Sequence, residues 1–306
     1  MDNFNPLVSI IIPAYNASNF ISEALDCAVN QTYKNIEIIV VNDGSTDNGA
    51  TEEICLSYGN KIKYYKKENG GCSSALNYAI RQAEGEYISW LSHDDLYFEN
   101  KIEYQVNLLR EKKVNEKTII SNPSCIINSK GEIQFYSKHK DEKYCDSVKA
   151  FDHLLFKYCF NGCGLLIPKI LFTKENLYFN ESMRFVLDWN LWLKFALNGA
   201  NVYINKKILV KNRRHANQIT VKQKQLHKKE AEQTIEELFD IIKDKPLKYL
   251  QSLYVFAYAR KSPHFEKIKT YFKQNKLSEP KCKAHRMRFK FSARTKIKKI
   301  YHKLFK

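Results

Sequence analysis

The sequence lacks any apolar run approaching the roughly 20 residues that a membrane-spanning helix needs. Its first residues carry no basic segment followed by an apolar one, so we expect no signal peptide. The eight cysteines include no Cys-x-x-Cys pair, and Cys159 and Cys163, the closest two, lack the partner residues of a zinc site. These absences predict a cytosolic protein with reduced, mostly buried thiols.

Acidic residues are also absent from the end of the chain. The net charge is +17 over 306 residues, and eleven Lys or Arg lie between Lys281 and Lys306 without any Asp or Glu. A net charge of about +6 therefore remains on residues 1–280, which is an ordinary value for a soluble protein. A hydrophobic content of 44% is ample for one large domain with an appendage or for two modest domains, and it excludes disorder across the whole chain.

Strand and helix patterns alternate along the first hundred residues. Leu7–Ile12 and Ile36–Val41 are short, nearly continuous apolar runs, as expected of strands that are buried on both faces. A helical pattern follows each run, and Glu86–Leu91 is a later strand of the same kind. Such units predict an α/β fold with a Rossmann-like, mostly parallel sheet that is flanked by helices.

Polar segments follow three of these strands at the point where each strand ends. Because ligands bind at the carboxyl ends of strands in such sheets, we expect the three segments to converge on one crevice. They are Pro13–Ala14–Tyr15–Asn16, Asn42–Asp43–Gly44–Ser45 and Ser92–His93–Asp94–Asp95.

Asp94 and Asp95 are two adjacent carboxylates at the end of an apolar strand. Holding them together costs free energy unless a cation or polar groups lie beside them. One could face a sugar hydroxyl while the other binds Mg²⁺ or Mn²⁺, which prefer oxygen ligands. A solvated acidic turn is the plainer alternative.

Six segments in chain order resemble the motifs of the family 2 glycosyltransferases, which have the GT-A fold. One such match is weak evidence, but six in order from about residue 7 to residue 220 identify the chain as a member of this superfamily. The segments are Val8–Asn16, Val41–Asp47, Glu68–Asn77, Trp90–Asp95, Leu187–Leu193 and Arg213–Gln218.

The resemblance implies a role for each matched position. Asp188 would be the catalytic base, and Asp95 and His215 would bind the metal, Mn²⁺ or Mg²⁺. Asp94 would contact the ribose or the donor sugar. The nucleotide-sugar would also contact Pro13, Ala14, Tyr15, Asn16, Asp43, Asn69 and Gly71.

The chain departs from the family pattern at three positions. Ser92 stands where a first Asp is frequent, Leu187 where a Glu commonly precedes the base, and Leu76 where an Arg is frequent. The metal loses one candidate ligand, and the donor loses one nearby cation. These differences bear on the donor sugar more than on the reaction.

Several of these residues also have a structural explanation that the sequence leaves open. Asp188 could be an acid that the dipole favours at a helix N-terminus, and Asp43 could be a turn former before Gly44. His215 could be an ordinary loop histidine. Trp189 and Trp192 are more simply core residues than platforms for a sugar.

The chemistry implied by the resemblance needs two kinds of group. A positioned carboxylate takes the proton of the attacking hydroxyl, and a divalent cation stabilises the leaving diphosphate. A single base without a partner nucleophile predicts one in-line displacement, hence inversion at the anomeric carbon. We therefore expect an inverting transfer of one sugar, from a UDP-sugar first of all, to a lipid-linked or surface-glycan acceptor in cell-envelope polysaccharide biosynthesis.

The expected domain order ends in a basic tail. We expect a glycosyltransferase domain over 1–220, with a nucleotide-sugar half (1–100) and an acceptor half (101–220), then a helical extension (221–280) and a tail (281–306). In the tail, an apolar helix face that includes Ile297 and Leu304 is surrounded by lysines, which favours an anionic membrane surface, although a solvated helix is the alternative. The expected location is cytoplasmic, peripheral at the inner face of the cell membrane.

Two other functions remain as alternatives. The basic tail with interleaved aromatic residues could belong to a nucleic-acid-binding protein, but carboxylates at the crevice repel phosphate, so we expect no nucleic acid as partner. A nucleotidyltransferase that makes sugar nucleotides would use a similar sheet. That class typically carries a Gly-rich Arg-Leu loop after its first strand, and Pro13–Asn16 is not one.

Overall fold

The computed structural model of the protein describes residues 4–136, 142–157, 160–215 and 224–288. Clustering of contacts divides the chain into two units, the first made of residues 1–150 and 160–222 and the second of residues 151–159 and 223–306. The second unit is therefore discontinuous in sequence. The finer predicted division into two halves and a tail stays a prediction.

The strands of the first hundred residues pair in parallel in the main sheet of the first unit, as predicted. Strand β1 (Val8–Ala14) pairs in parallel with β2 (Ile36–Asp43) and with β4 (Tyr87–Trp90), and β2 pairs in parallel with β3 (Lys63–Lys67). All seven residues of β1 are buried, as a strand covered on both faces requires.

The other half of this sheet mixes parallel and antiparallel pairs. Its strands are β6 (Thr118–Ser121), β9 (Lys143–Cys145), β10 (Leu165–Pro168) and β11 (Asn201–Ile204). The order across the eight strands is β3-β2-β1-β4-β10-β6-β11-β9, and four of the seven neighbouring pairs are parallel. The α/β fold with a mostly parallel sheet is thus confirmed.

A second, four-stranded sheet has the order β5-β12-β7-β8. Its strands are β5 (Leu96–Tyr97), β7 (Ser124–Ile127), β8 (Ile133–Tyr136) and β12 (Val210–Arg213). The sequence pattern favours one strand over 118–127, and that expectation is wrong. Pro123 lacks an N–H for a strand ladder, so the chain breaks there and β6 and β7 enter different sheets.

Seven helices precede residue 200 in the described part of the chain. Apolar residues of α1, such as Ile21 and Leu25, share one core cluster with Val8, Ile10 and Ile12 of β1, while α3 packs against β1 and β2. The helices are α1 (Ile21–Val29), α2 (Ala50–Leu56), α3 (Cys72–Gln82), α4 (Lys101–Lys112), α5 (Ser147–Phe156), α6 (Ile170–Thr173) and α7 (Leu187–Leu197).

The second unit is helical, as the charged C-terminal third of the sequence predicts. Its helices are α8 (Lys224–Ile242), α9 (Leu247–Arg260), α10 (Phe265–Gln274) and α11 (281–288). Ring contacts join them, among them Phe239 to Tyr271 at 5.6 Å and Tyr254 to Phe272 at 4.9 Å between centroids. None of the described helices is both long and apolar enough to cross a membrane. The apolar face predicted around Ile297–Leu304 lies outside the described residues.

Candidate active site

A cavity of about 370 Å³ opens where β1, β2 and β4 end. It collects residues from all three strand ends, from the loop before α3 and from the segment before α7. Seven of the eight predicted nucleotide-sugar residues line it: Pro13, Ala14, Tyr15, Asp43, Asn69, Gly71 and Asp94. Cys72, Ala75, Ser92, His93 and Arg184 complete the wall.

Asp43 organises the loop that precedes α3. Its Oδ1 accepts hydrogen bonds from Lys67 Nζ (2.8 Å) and Gly70 N (3.0 Å), and its Oδ2 accepts one from Gly71 N (2.7 Å). Asn69 Nδ2 donates to the Asp43 carbonyl at 2.7 Å. The carboxylate is buried and paired with a lysine, so it does much more than form a turn before Gly44.

Asn16 is the one predicted binding residue that does not line the cavity. Its amide side chain bonds Thr46 in both directions, through Thr46 N to Oδ1 (2.7 Å) and through Nδ2 to Thr46 Oγ1 (3.2 Å). Its backbone N also donates to Ser45 Oγ at 3.0 Å. Asn16 therefore joins the loops after β1 and β2, and a contact with the nucleotide-sugar stays a prediction.

Asp94 lies at the cavity wall, and His215, which does not itself line the cavity, contacts it. The Nε2 of His215 is 3.0 Å from Asp94 Oδ2, and its ring packs against Phe20 in a tilted arrangement with centroids 5.0 Å apart. His215 follows directly after β12, 121 residues further along the chain than Asp94. The structure thus brings together two residues that the resemblance assigns to the donor and the metal.

Asp95 is buried behind this wall and does not line the cavity. Its Oδ1 accepts a hydrogen bond from Arg213 N (2.8 Å), and its Oδ2 accepts bonds from Asn212 Nδ2 (2.7 Å) and the Cys163 thiol (3.3 Å). Burial, followed by the charge of Asp94, raises the pKa of Asp95 to about 7. The structure therefore does not bring Asp95 to the cavity, and its role as a metal ligand stays a prediction.

Arg213, to which the sequence assigns no role, contacts the loop that carries Asp94 and Asp95. Its side chain is fully buried, yet Nε donates to the Asp94 carbonyl (2.9 Å) and Nη2 to Glu23 Oε2 (2.8 Å). Nη1 donates to the Ser129 carbonyl at 3.0 Å, and the guanidinium lies over the Phe20 ring. These bonds hold the loop that carries both aspartates against β12. Arg213 is the first residue of the motif Arg213–Gln218. Its role in holding the aspartate loop becomes visible only from its burial and its hydrogen bonds in the structure.

Asp188 lies in the first turn of α7 and is half-buried. Its Oδ1 accepts a hydrogen bond from Trp189 N at 2.7 Å. Cys72 is exposed at the cavity wall, yet protein atoms surround its thiol closely enough to raise its pKa to about 12, and the charges of Asp43, Asp188 and Asp94 add to that effect. Asp188 itself does not line the cavity, and its role as the base stays a prediction.

The segment before α7 is held by polar residues of α3. Ser73 Oγ donates to the Met183 carbonyl (3.2 Å), and Asn77 bonds both the carbonyl and the N–H of Phe179 at 2.9 Å. All four residues are buried. Because Ser73 and Asn77 are four residues apart, they lie on one helix face and fix the segment at two points.

The residues present fit a divalent cation only if the substrate supplies further ligands. In the part of the chain that the structure describes, no group of three or more His, Cys, Asp or Glu could hold a metal ion. A Mg²⁺-type ion that is bound together with substrate phosphates needs only one or two protein carboxylates. Asp94 is a carboxylate of the cavity wall, and His215, which is not part of the lining, has its Nε2 3.0 Å from Asp94, so these two residues would hold such an ion.

A family model described as glycosyl transferase family 2 matches residues 9–165, about half of the chain. The chain belongs to glycosyl transferase family 2. This membership makes the protein a glycosyltransferase, and it favours that function over the nucleic-acid-binding and nucleotidyltransferase alternatives.

Curated relatives agree with the family 2 assignment. An uncharacterized glycosyltransferase of Rickettsia typhi is 50% identical over 222 residues, which cover 72% of this chain and 67% of that protein. The minor teichoic acid biosynthesis protein GgaB of Bacillus subtilis is 36% identical over 62% of this chain but only 21% of its own length. The chain spans about a third of three other Rickettsia relatives, 31 to 35% of their length.

Solved structures share the GT-A fold of this family 2 chain. The structure of Staphylococcus aureus TarS 1–349 in complex with UDP superimposes with a TM-score of 0.64 at 20% identity, covering 89% of this chain and 75% of that one. The same TarS fragment with UDP-GlcNAc gives a TM-score of 0.60 at 18% identity and covers 88% and 92%. At this identity the likeness shows the fold.

Proposed function

We propose that the protein is an inverting, metal-dependent glycosyltransferase that moves one sugar from a nucleotide-diphosphate donor to a hydroxyl of a surface-glycan or lipid-linked acceptor. The observation that carries this proposal is the cavity at the ends of β1, β2 and β4, where Asp43 and Asp94 lie beside Tyr15 and Asn69. Its volume of about 370 Å³ is within the range of pockets that bind small molecules.

The donor in this proposal is a UDP-sugar. The support is the shared fold with TarS, which was solved with UDP and with UDP-GlcNAc. UDP-N-acetylglucosamine is therefore the first donor to test. The acceptor class is supported by the likeness to GgaB, a protein named for minor teichoic acid biosynthesis. Attachment of the basic tail to an anionic membrane stays part of the proposal.

In this proposal Asp94 and the neighbouring His215 would hold the cation, Mn²⁺ or Mg²⁺, together with the donor diphosphate. When bound, it neutralises charge that develops on the leaving diphosphate. Asp94 is preferred over Asp95 because Asp94 lines the cavity and Asp95 does not. Asp95 then acts as a positioning residue that ties the loop to β12.

Asp188 is the proposed base. The acceptor oxygen forms a bond to the anomeric carbon, the bond from that carbon to the diphosphate oxygen breaks, and the hydroxyl proton passes to the Asp188 carboxylate. One displacement on the face opposite to the leaving group inverts the anomeric centre. Support comes from the position of Asp188 at the start of α7, where its charge acts on the cavity residue Cys72.

The first experiment measures the release of free nucleoside diphosphate from a panel of sugar nucleotides with Mn²⁺. We expect selective, metal-dependent release from one donor, and a loss of about 10²- to 10⁴-fold in Asp188→Asn, the usual contribution of a general base. Binding of the donor should survive that substitution. Glu111→Gln, an exposed change on α4, is the matched control and should have full activity.

The same assay, combined with titration of UDP, separates the two aspartates. Asp94→Asn should abolish the dependence of UDP affinity on Mn²⁺, whereas Asp95→Asn should keep this dependence and lower thermal stability. The reverse pattern would assign the metal to Asp95. A wild-type protein that binds no sugar nucleotide would overturn the proposed reaction altogether.

A further inference from the structure

The walls of the cavity carry more carboxylates than Lys or Arg side chains. Asp43 and Asp94 both line it, while among the described residues of its lining Arg184 is the single Lys or Arg. Asp43 is already paired with Lys67, whose Nζ lies 2.8 Å from it and which is not itself part of the lining. An incoming diphosphate, which carries at least two negative charges, therefore meets one guanidinium on this wall.

Arg184 is presented to the cavity by a rigid anchor. The residue before it, Met183, is buried and accepts a hydrogen bond from Ser73 Oγ of α3 at 3.2 Å. Two further bonds at 2.9 Å join Asn77, one turn later on the same helix, to the backbone of Phe179. The helix that provides these bonds begins at Cys72, itself a wall residue, so the anchor and the wall belong to one element.

The side chain of Arg184 is exposed, in contrast to the buried anchor behind it. An exposed guanidinium on a fixed backbone can form two parallel hydrogen bonds to phosphate oxygens. Because arginine stays protonated, its charge is present whether or not a metal is bound. It would also stabilise the charge that develops on the diphosphate as the sugar leaves.

We propose that Arg184 binds the diphosphate of the sugar-nucleotide donor, with Ser73 and Asn77 as positioning residues that fix its backbone. This inference rests on the proposed function and adds to it a residue that no sequence motif indicated. It also predicts that the contribution of Arg184 to affinity depends on the phosphates and not on the nucleoside.

Isothermal titration of UDP and of uridine, in the presence of Mn²⁺, tests the inference on the full chain. Arg184→Gln should weaken UDP binding about ten- to a hundredfold, the effect of a charge-assisted hydrogen bond, and should leave uridine binding within about twofold. The UDP affinity of Arg184→Lys should lie between those of the wild type and Arg184→Gln, because an ammonium keeps the positive charge but cannot form two parallel hydrogen bonds. Arg110→Gln, which removes an exposed arginine of α4, should bind both ligands like the wild type.

The outcomes separate this inference from the function on which it rests. Equal affinity of wild type and Arg184→Gln for UDP, or an equal loss for UDP and uridine, would overturn the role of Arg184 and leave the transferase intact. A wild-type protein that binds neither UDP nor uridine would overturn both. Retained uridine binding in Arg184→Gln shows that the variant is folded.

Discussion

At the scale of single residues, the candidate site depends on buried groups whose partners come from distant positions. Asp43 is 27 residues from Gly70 and 28 from Gly71, yet its carboxylate accepts both of their N–H groups. Gly44 follows it with a φ of +69°, a conformation that side chains rarely adopt, and an added Cβ would come 2.7 Å from Asn69 N. The loop before α3 therefore packs against a position where only glycine fits.

Gly44→Ala should lower the free energy of unfolding and weaken nucleotide binding together. The positive φ costs about 1 kcal/mol, and the contact with the Asn69 backbone adds to this because that backbone cannot rotate away. We expect a total of about 2–4 kcal/mol by urea denaturation.

Gly59→Ala isolates the backbone part of this effect. Gly59 has a φ of +54°, and nothing lies within 4 Å of its added Cβ. Its substitution should cost about 1 kcal/mol and leave UDP binding unchanged. Equal losses in the two variants would mean that the contact between Gly44 and the Asn69 backbone contributes nothing.

At the scale of the elements, helix ends show where local sequence and local conformation disagree. The residue that caps the C-terminus of α4, Lys113, has a φ of +44° and a ψ of +46° in the left-handed region. Glycine is the usual residue at such a position. Lys261, the residue that caps the C-terminus of α9, has the same left-handed conformation. Neither cap is the glycine that sequence rules for helix termination look for.

Lys113→Gly should raise the free energy of unfolding by up to about 1 kcal/mol, because relief of the left-handed strain exceeds the added freedom of the unfolded chain. Lys112→Gly, one residue earlier and within the helix, should lower it by about 1 kcal/mol. Opposite signs for neighbouring substitutions in chemical denaturation would support this reading of α4. Destabilisation by both would contradict the left-handed end.

At the scale of the whole molecule, a buried polar network connects helix α4 to strands of both sheets in the first unit. Lys101 is fully buried, and its Nζ donates to Ser89 Oγ of β4 (2.8 Å) and to Gln105 Oε1 (2.9 Å) while lying over the ring of Tyr97. Gln105 Nε2 in turn donates to Asn122 Oδ1 at 3.0 Å. Burial lowers the pKa of Lys101 to about 7.

This pKa makes the stability of the fold depend on pH. Between about pH 7 and the ordinary lysine value, the unfolded chain binds a proton that the folded chain does not, so the contribution of Lys101 rises with pH. The difference in unfolding free energy between wild type and Lys101→Met should grow by up to about 1.4 kcal/mol per pH unit. Urea denaturation from pH 7 to pH 9.5 measures it.

The exposed Lys112 supplies the control for this prediction. The difference between wild type and Lys112→Met should stay flat over the same pH range, because the Lys112 side chain is exposed and folding does not bury it. A flat difference for Lys101→Met as well would mean that Lys101 stays protonated in the fold.

The sequence by itself determined the parts of this protein that depend on local pattern. Apolar runs such as Ile36–Val41 can be satisfied only as buried strands, and the polar residues after them must then meet at one edge of a parallel sheet. For that reason seven of the eight predicted nucleotide-sugar residues lie on one cavity. The family motifs follow the same order along the chain as the strands that carry these polar residues.

Only the tertiary structure decided which of two neighbouring carboxylates faces the cavity. Asp95 turns inward because Asn212 and Arg213, 117 and 118 residues away, donate to its oxygens, and this leaves Asp94 at the wall, in contact with His215. Likewise, Arg184 reaches the site through the bonds that Ser73 and Asn77 make with the segment before it. Such partners are set by packing over long chain separations, and no local pattern of residue types encodes them.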